Sequence, residues 1–270
     1  MPPWLVRCVV QVYQSGSLRA PVATGSVHGN SGIRSIRSDR NVGDVKERGR
    51  CTARSGRLRR WRAPVVLIDG QSGSGKTSLA GALADACGIA GVRGLQVIHL
   101  DHFYAGWTGL AAGTHTLERL LTSTYDQASL QPRNQLGCCE SDPGILLFST
   151  PMPYAPLSGR HQRTSQQTGF WQWDWEQNRW GHYVRLNPDR PVLIEGSGSL
   201  TAVTRSAADL AIWVELDADC FPNEAAERKR RAVRRDGDVF RPWWDAWAKQ
   251  EAGHLAKHKP RKLADVIVLR

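Results

Sequence analysis

The run Gly70-Gln71-Ser72-Gly73-Ser74-Gly75-Lys76-Thr77 has the residue types and spacing of a loop that wraps phosphate. Its glycines let the backbone curl so that successive N–H groups point inward at anionic oxygens. A helix pattern opening at Lys76 adds partial positive charge at the same place. Lys76 is long enough to reach the β- and γ-phosphates of a nucleotide, and the Thr77 hydroxyl can ligate Mg²⁺. The stretch from Gly70 to Ser78 is therefore expected to contact a nucleotide. A glycine-rich turn with a chance lysine would lack the apolar segment before it and the helix pattern after it.

Phosphoryl transfer from such a loop needs an acid near the metal and a base near the acceptor hydroxyl. In a doubly wound sheet these groups sit at the carboxyl ends of strands. Asp101 follows Val97-Ile98-His99-Leu100, and Glu195 follows Val192-Leu193-Ile194. Asp101 can accept the proton of an attacking hydroxyl, or it can cap a turn. Glu195 can hold Mg²⁺ through its water shell, and Gly196 permits close backbone approach.

The elements that must position these residues follow from hydropathy. Val65–Asp69 reads as a buried strand and Lys76–Ala86 as a helix with Leu79, Leu83 and Ala86 on one face. Leu95–Asp101 reads as a second strand and Thr116–Leu121 as helical. Residues 122–170 carry little periodicity and are expected to form an insertion or a lid. Strands Val192–Glu195 and Leu210–Leu216 follow. Then come helices near 223–235 and 243–257 and a last strand, Asp265–Leu269. Strands alternating with helices predict an α/β three-layer sandwich with a parallel sheet, the P-loop NTPase architecture, spanning 64–270.

The chain has 270 residues, 41% of them hydrophobic, which is enough for a core. No run approaches the ~20 apolar residues of a membrane helix, and no membrane partner is expected. Residues 1–63 hold thirteen Lys and Arg against three acids, ten of the chain's net eleven positive charges. They lack sustained periodicity and are expected to be a disordered basic extension, either inert, targeting or weakly in contact with nucleic acid. The six cysteines show no paired metal-ligand spacing, so a reduced, cytoplasmic protein without zinc is expected.

Arg228, Lys229, Arg230, Arg231, Arg234 and Arg235 crowd one predicted helix. Such a helix needs an anion or nearby acids, and reads either as a phosphate-covering lid or as a solvated basic face. Trp171, Trp173, Trp175 and Trp180 fall within ten residues. They read either as an aromatic wall for a flat or sugar-like substrate or as packing. Trp243, Trp244 and Trp247, at helical spacing, read as packing.

Taken together, GQSGSGKT, LDHFY, VLIEG and RRAVRRD resemble the uridine kinase and phosphoribulokinase group of P-loop kinases, in particular uridine kinase-like ATP-binding proteins of actinobacterial type. The resemblance covers about 64–121 and 171–269. It implies ATP and Mg²⁺ as cofactors and Asp101 as the base. It also implies Tyr104 on the substrate side and Trp173-Asp174-Trp175 with Asn178 as the acceptor-recognising segment. Arg231 and Arg235 take the place of the lid arginines, which act with Lys76 on the transferring group. The favoured activity is an ATP-dependent kinase acting on a hydroxyl of a small molecule. The alternative is a non-catalytic nucleotide-binding or nucleic-acid-associated module.

Overall fold

A computed structural model describes residues 1–15, 61–122 and 168–270. Five parallel strands form the sheet, in spatial order β2-β5-β1-β6-β7. They are β1 Val65–Asp69, β2 Gln96–His99, β5 Val192–Glu195, β6 Leu210–Glu215 and β7 Val266–Leu269. Every residue of β1 and β5 is buried, as a sheet covered on both faces requires.

Alternation along β1 sorts its side chains into two layers. Val66 and Ile68 pack with Leu79, Leu83 and Cys87 of helix α2, Lys76–Ile89. Val65 and Leu67 pack toward Leu117 and Leu121 of α3 (Leu110–Leu121), Ala207 of α4 (Ala202–Ala207) and Trp244 and Trp247 of α6 (Trp244–His258). Each fully buried aliphatic side chain contributes about 1.5–3 kcal/mol. The two layers of contacts fix the plane from which the site loops emerge. The Arg-rich helix α5 spans Glu224–Asp236 and is capped by Asn223, whose side chain accepts from the Ala226 N–H at 3.1 Å. A short α7, Pro260–Leu263, leads into β7.

Three expectations change. The extension was expected to be without structure throughout 1–63, yet Pro3–Ser15 is a helix, α1. Leu5, Val9 and Val12 recur on one face and pack in the same layer as Leu79 and Leu83. The Tyr13 hydroxyl donates to the Val192 carbonyl at 3.1 Å. Packing also begins before Pro64: Trp61 is buried and its indole N–H donates to the Arg190 carbonyl at 2.9 Å. Residues 16–60 lie outside the described residues, as do 123–167 of the expected insertion.

The second change is that β2 ends at His99, and Leu100–Phe103 forms a 3₁₀ turn carrying Asp101. Third, the tryptophan-rich segment forms an antiparallel hairpin, β3 Gly169–Asp174 with β4 Arg179–Arg185. A register shift separates Trp171 from Trp173. Among the described residues no helix is long and apolar enough to cross a membrane.

Candidate functional site

The loop after β1 is braced from behind by a buried carboxylate. Asp69 accepts N–H bonds from Gly70 at 2.7 Å, Gly198 at 3.0 Å and Leu200 at 2.8 Å. This ties the start of the loop to the segment after β5. Gly73 and Gly75 take φ values of +80° and +93°, where a side chain is strained. A Cβ on Gly73 would lie 2.2 Å from the Arg228 carbonyl oxygen, so α5 rests directly on the loop.

Ser72 is clasped on the same side. Its N–H donates to Glu251 Oε1 at 2.7 Å, its Oγ accepts from Trp247 Nε1 at 3.0 Å, and its carbonyl accepts from Arg228 at 3.4 Å. Gly70, Ser72 and Ser74 are thus buried behind the loop.

The loop's other face opens on a cavity of about 420 Å³. Gly73, Gly75, Lys76, Thr77 and Ser78 form one wall, and Arg231, Arg234 and Arg235 of α5 another. Arg270 completes the lining. Among the described residues that line it there are five cationic side chains and no Asp or Glu. Gln71 does not line this cavity; it borders a small void beneath the loop.

Arg231 donates to Glu227 Oε1 at 2.6 Å, and its guanidinium lies 4.7 Å over the Phe221 ring. Hydrogen bonds from Arg230 and Arg231 hold Glu227 down to about 2. Arg235 makes a paired contact with Asp236 at 2.6 and 2.7 Å.

Glu195, 2% exposed, accepts from the Thr77 hydroxyl at 3.3 Å and lies 2.6 Å from His99 Nδ1. Burial alone would push its carboxyl up. The His99 hydrogen bond and the Lys76 charge bring it below the usual range, so the group stays ionised. His99 is raised, chiefly by its bond to Glu195 and against its own burial.

A raised imidazole contributes stability at low pH that is lost as pH rises through its folded value. The gap in melting temperature between wild type and His99→Gln is therefore expected to be widest below about pH 6.5, the ordinary histidine value. It should shrink above that. Thermal melts across neutral and mildly alkaline pH check this, and a gap that widens with pH would contradict the pairing.

Asp101 is exposed on the 3₁₀ turn, yet neighbouring protein atoms crowd its carboxyl. That crowding raises its carboxyl above the ordinary value. The negative charges of Glu195 and Asp236 add to the effect, and Lys76 and Arg235 oppose it. The Asp101 carbonyl accepts from Trp175 Nε1 at 3.0 Å, which pins the turn to the hairpin.

The expected substrate contacts redistribute. Tyr104 is 1% exposed, and its hydroxyl donates to the Ser197 carbonyl at 2.6 Å. Its ring packs edge-on to Trp247 at 5.0 Å, so protein groups enclose the side chain. Trp173 is 6% exposed and turned against Trp180 at 5.2 Å. Asn178 is exposed in the hairpin turn with φ 50°, a conformation asparagine tolerates.

Trp175 takes the position beside Asp101. It packs on Trp107 at 4.6 Å, and Trp107 lies parallel to Phe240 at 5.1 Å and Trp243 at 6.3 Å. Trp243, read as packing, is 43% exposed. His99, Trp107, Glu251 and Arg270 were not singled out from sequence. A histidine two residues before Asp101 was the one local signal available.

No family model and no curated protein matches the chain. Among solved structures, it is similar to a possible uridine kinase from Bacillus stearothermophilus at 19% identity. That match covers 76% of this chain and 87% of that one, with a TM-score of 0.41. It is also similar to a candidate fructose transport system kinase from a Silicibacter species at 16% identity. Here 79% of this chain and 88% of that one are covered, again with a TM-score of 0.41. Both similarities are weak.

Proposed function

We propose that the chain is a phosphotransferase that moves the γ-phosphoryl group of ATP to a hydroxyl of a small molecule, in the manner of uridine kinase-like P-loop kinases. One observation carries this reading: among the described residues, the cavity between Gly73–Ser78 and α5 is lined by five cationic side chains and no Asp or Glu. Its volume falls in the range of about 300–1,000 Å³ common for ligand sites. Glu227 and Asp236 offset Arg231 and Arg235 from outside the lining. The surplus of positive charge facing the cavity still favours an anion there, and the loop amides favour a polyphosphate.

In this reading the amides from Gly73 to Thr77 and the Lys76 ammonium hold the β- and γ-phosphates. Arg231 and Arg235 offset charge on the transferring group. Asp101 takes the hydroxyl proton as the acceptor oxygen bonds to the γ-phosphorus and the bond to the β-phosphate oxygen breaks, releasing ADP. Its raised affinity for a proton suits a base. The exposed Trp243, with the half-buried Trp107 and Trp175 packed beside it, offers an acceptor with a sugar or flat ring an aromatic surface near that carboxylate.

The Thr77 hydroxyl, in the first turn of α2, and the ionised Glu195, at the end of β5, are hard oxygen donors, a donor set that fits Mg²⁺ shared with a nucleotide. When bound, the ion would neutralise phosphate oxygens.

The test is a screen of hydroxyl-bearing metabolites with the full chain, Mg²⁺ and γ-labelled ATP. The full chain is needed because α1 and Trp61 belong to the core. Label is expected on at least one organic acceptor. Label found only in inorganic phosphate would instead favour a hydrolase or a nucleotide-binding switch.

A further inference from the structure

Arg270 enters the cavity from the sheet, while the other arginines ride on α5. Its backbone extends the β6–β7 ladder: its N–H donates to the Glu215 carbonyl and its own carbonyl accepts from the Asp217 N–H, both at 3.0 Å. The side chain lies flat on the phosphate-wrapping loop, with Nη1 donating to the Gly75 carbonyl at 2.8 Å. A Cβ on Gly75 would stand 3.1 Å from Nη1, so the missing side chain at Gly75 makes room for the guanidinium.

Arg231 and Arg235 each hold a carboxylate. Arg270 has no such partner among the described residues, although it is half-buried and lines the cavity. Burial first, and the Arg231 charge second, depress its proton affinity. A half-buried cation beside another cation is costly until an anion arrives. One of its five N–H donors is spent on Gly75, and the fork that remains matches phosphate oxygens.

We propose that Arg270 is a nucleotide-binding residue that grips the phosphate chain of a bound nucleoside triphosphate from the sheet side of the cavity. The proposal rests on the reading of this cavity as a triphosphate site. It differs from a strut role, in which Arg270 only steadies the loop through Gly75.

Arg270→Gln keeps a donor for the Gly75 carbonyl and removes the charge. Calorimetric titration of the full chain with a non-hydrolysable ATP analogue, with inorganic tripolyphosphate and with adenosine separates the roles. Arg270→Gln is expected to weaken both anions about tenfold, leaving adenosine binding and the melting temperature unchanged. Arg270→Lys is expected to recover part of the loss. Unchanged affinity for both anions would overturn the proposal, as would an equal loss for adenosine, which would mark a base contact. Wild type that binds neither triphosphate nor tripolyphosphate would overturn the triphosphate site itself, and this proposal with it.

Discussion

Lys76→Ala is expected to lower phosphoryl transfer by about a thousandfold or more, the scale of losing a preorganised charge at the transferring group. Lys76 is 6% exposed, at the first turn of α2. Its charge acts on Asp101 and on Glu195 and favours the ionised form of each. Removing it therefore has two effects. The proposed β- and γ-phosphate site loses a cation, and two carboxylates are left with less to hold them ionised. Asp101 should then take up a proton at higher pH than before. The acid limb of the pH–rate profile should move to higher pH in the variant. Single-turnover rates across pH, with an acceptor found in the screen, measure both effects. A variant within tenfold of wild type would remove Lys76 from the machinery.

Asp101→Asn should lower turnover by about a hundred- to ten-thousandfold, the range for loss of a positioned base. ATP affinity should stay within about twofold, because Asp101 is not among the residues lining the cationic cavity. The substitution is nearly isosteric. The hydrogen bond from Trp175 uses the backbone carbonyl of residue 101, so the turn keeps its anchor. The wild-type carboxyl sits above its ordinary value, so activity should climb with pH through that raised value as the base form appears. The Asn variant should lack this limb. Equal turnover in the two proteins would remove the base assignment, whatever the nucleotide does.

The residues legible from sequence are those whose chemistry is local. The segment from β1 through the glycine-rich loop into α2 is set by eight contiguous residues, with an apolar run before them and a helix after. β5 and α5 are equally local, one from four buried residues and the other from a cap and an apolar-poor basic run. Contacts that depend on strand order were not legible. His99 meets Glu195 because β2 lies beside β5, where the two are register partners; no spacing between residues 96 apart announces that.

Arg270 reaches Gly75 across 195 residues for the same reason. Tyr104 sits in a motif that suggests a substrate contact, but Ser197, Gly113 and Trp247 close around it in the fold. β3 ends at Asp174, so Trp175 lies in the turn, where its indole reaches the Asp101 carbonyl, while Trp173 stays inside the hairpin against Trp180. The helix α1 carried its apolar stripe in plain view. It is short and is followed by a long basic stretch without period, which masked its packing in one layer with Leu79 and Leu83 of α2.

A crystal structure of the full chain with Mg²⁺ and a non-hydrolysable ATP analogue tests the account most directly. Triphosphate density is expected between Gly73–Ser78 and the guanidinium groups of Arg231 and Arg235, with the γ-phosphoryl group facing the Asp101 carboxylate. An empty cavity at saturating nucleotide, or a γ-phosphoryl group turned away from Asp101, would contradict it.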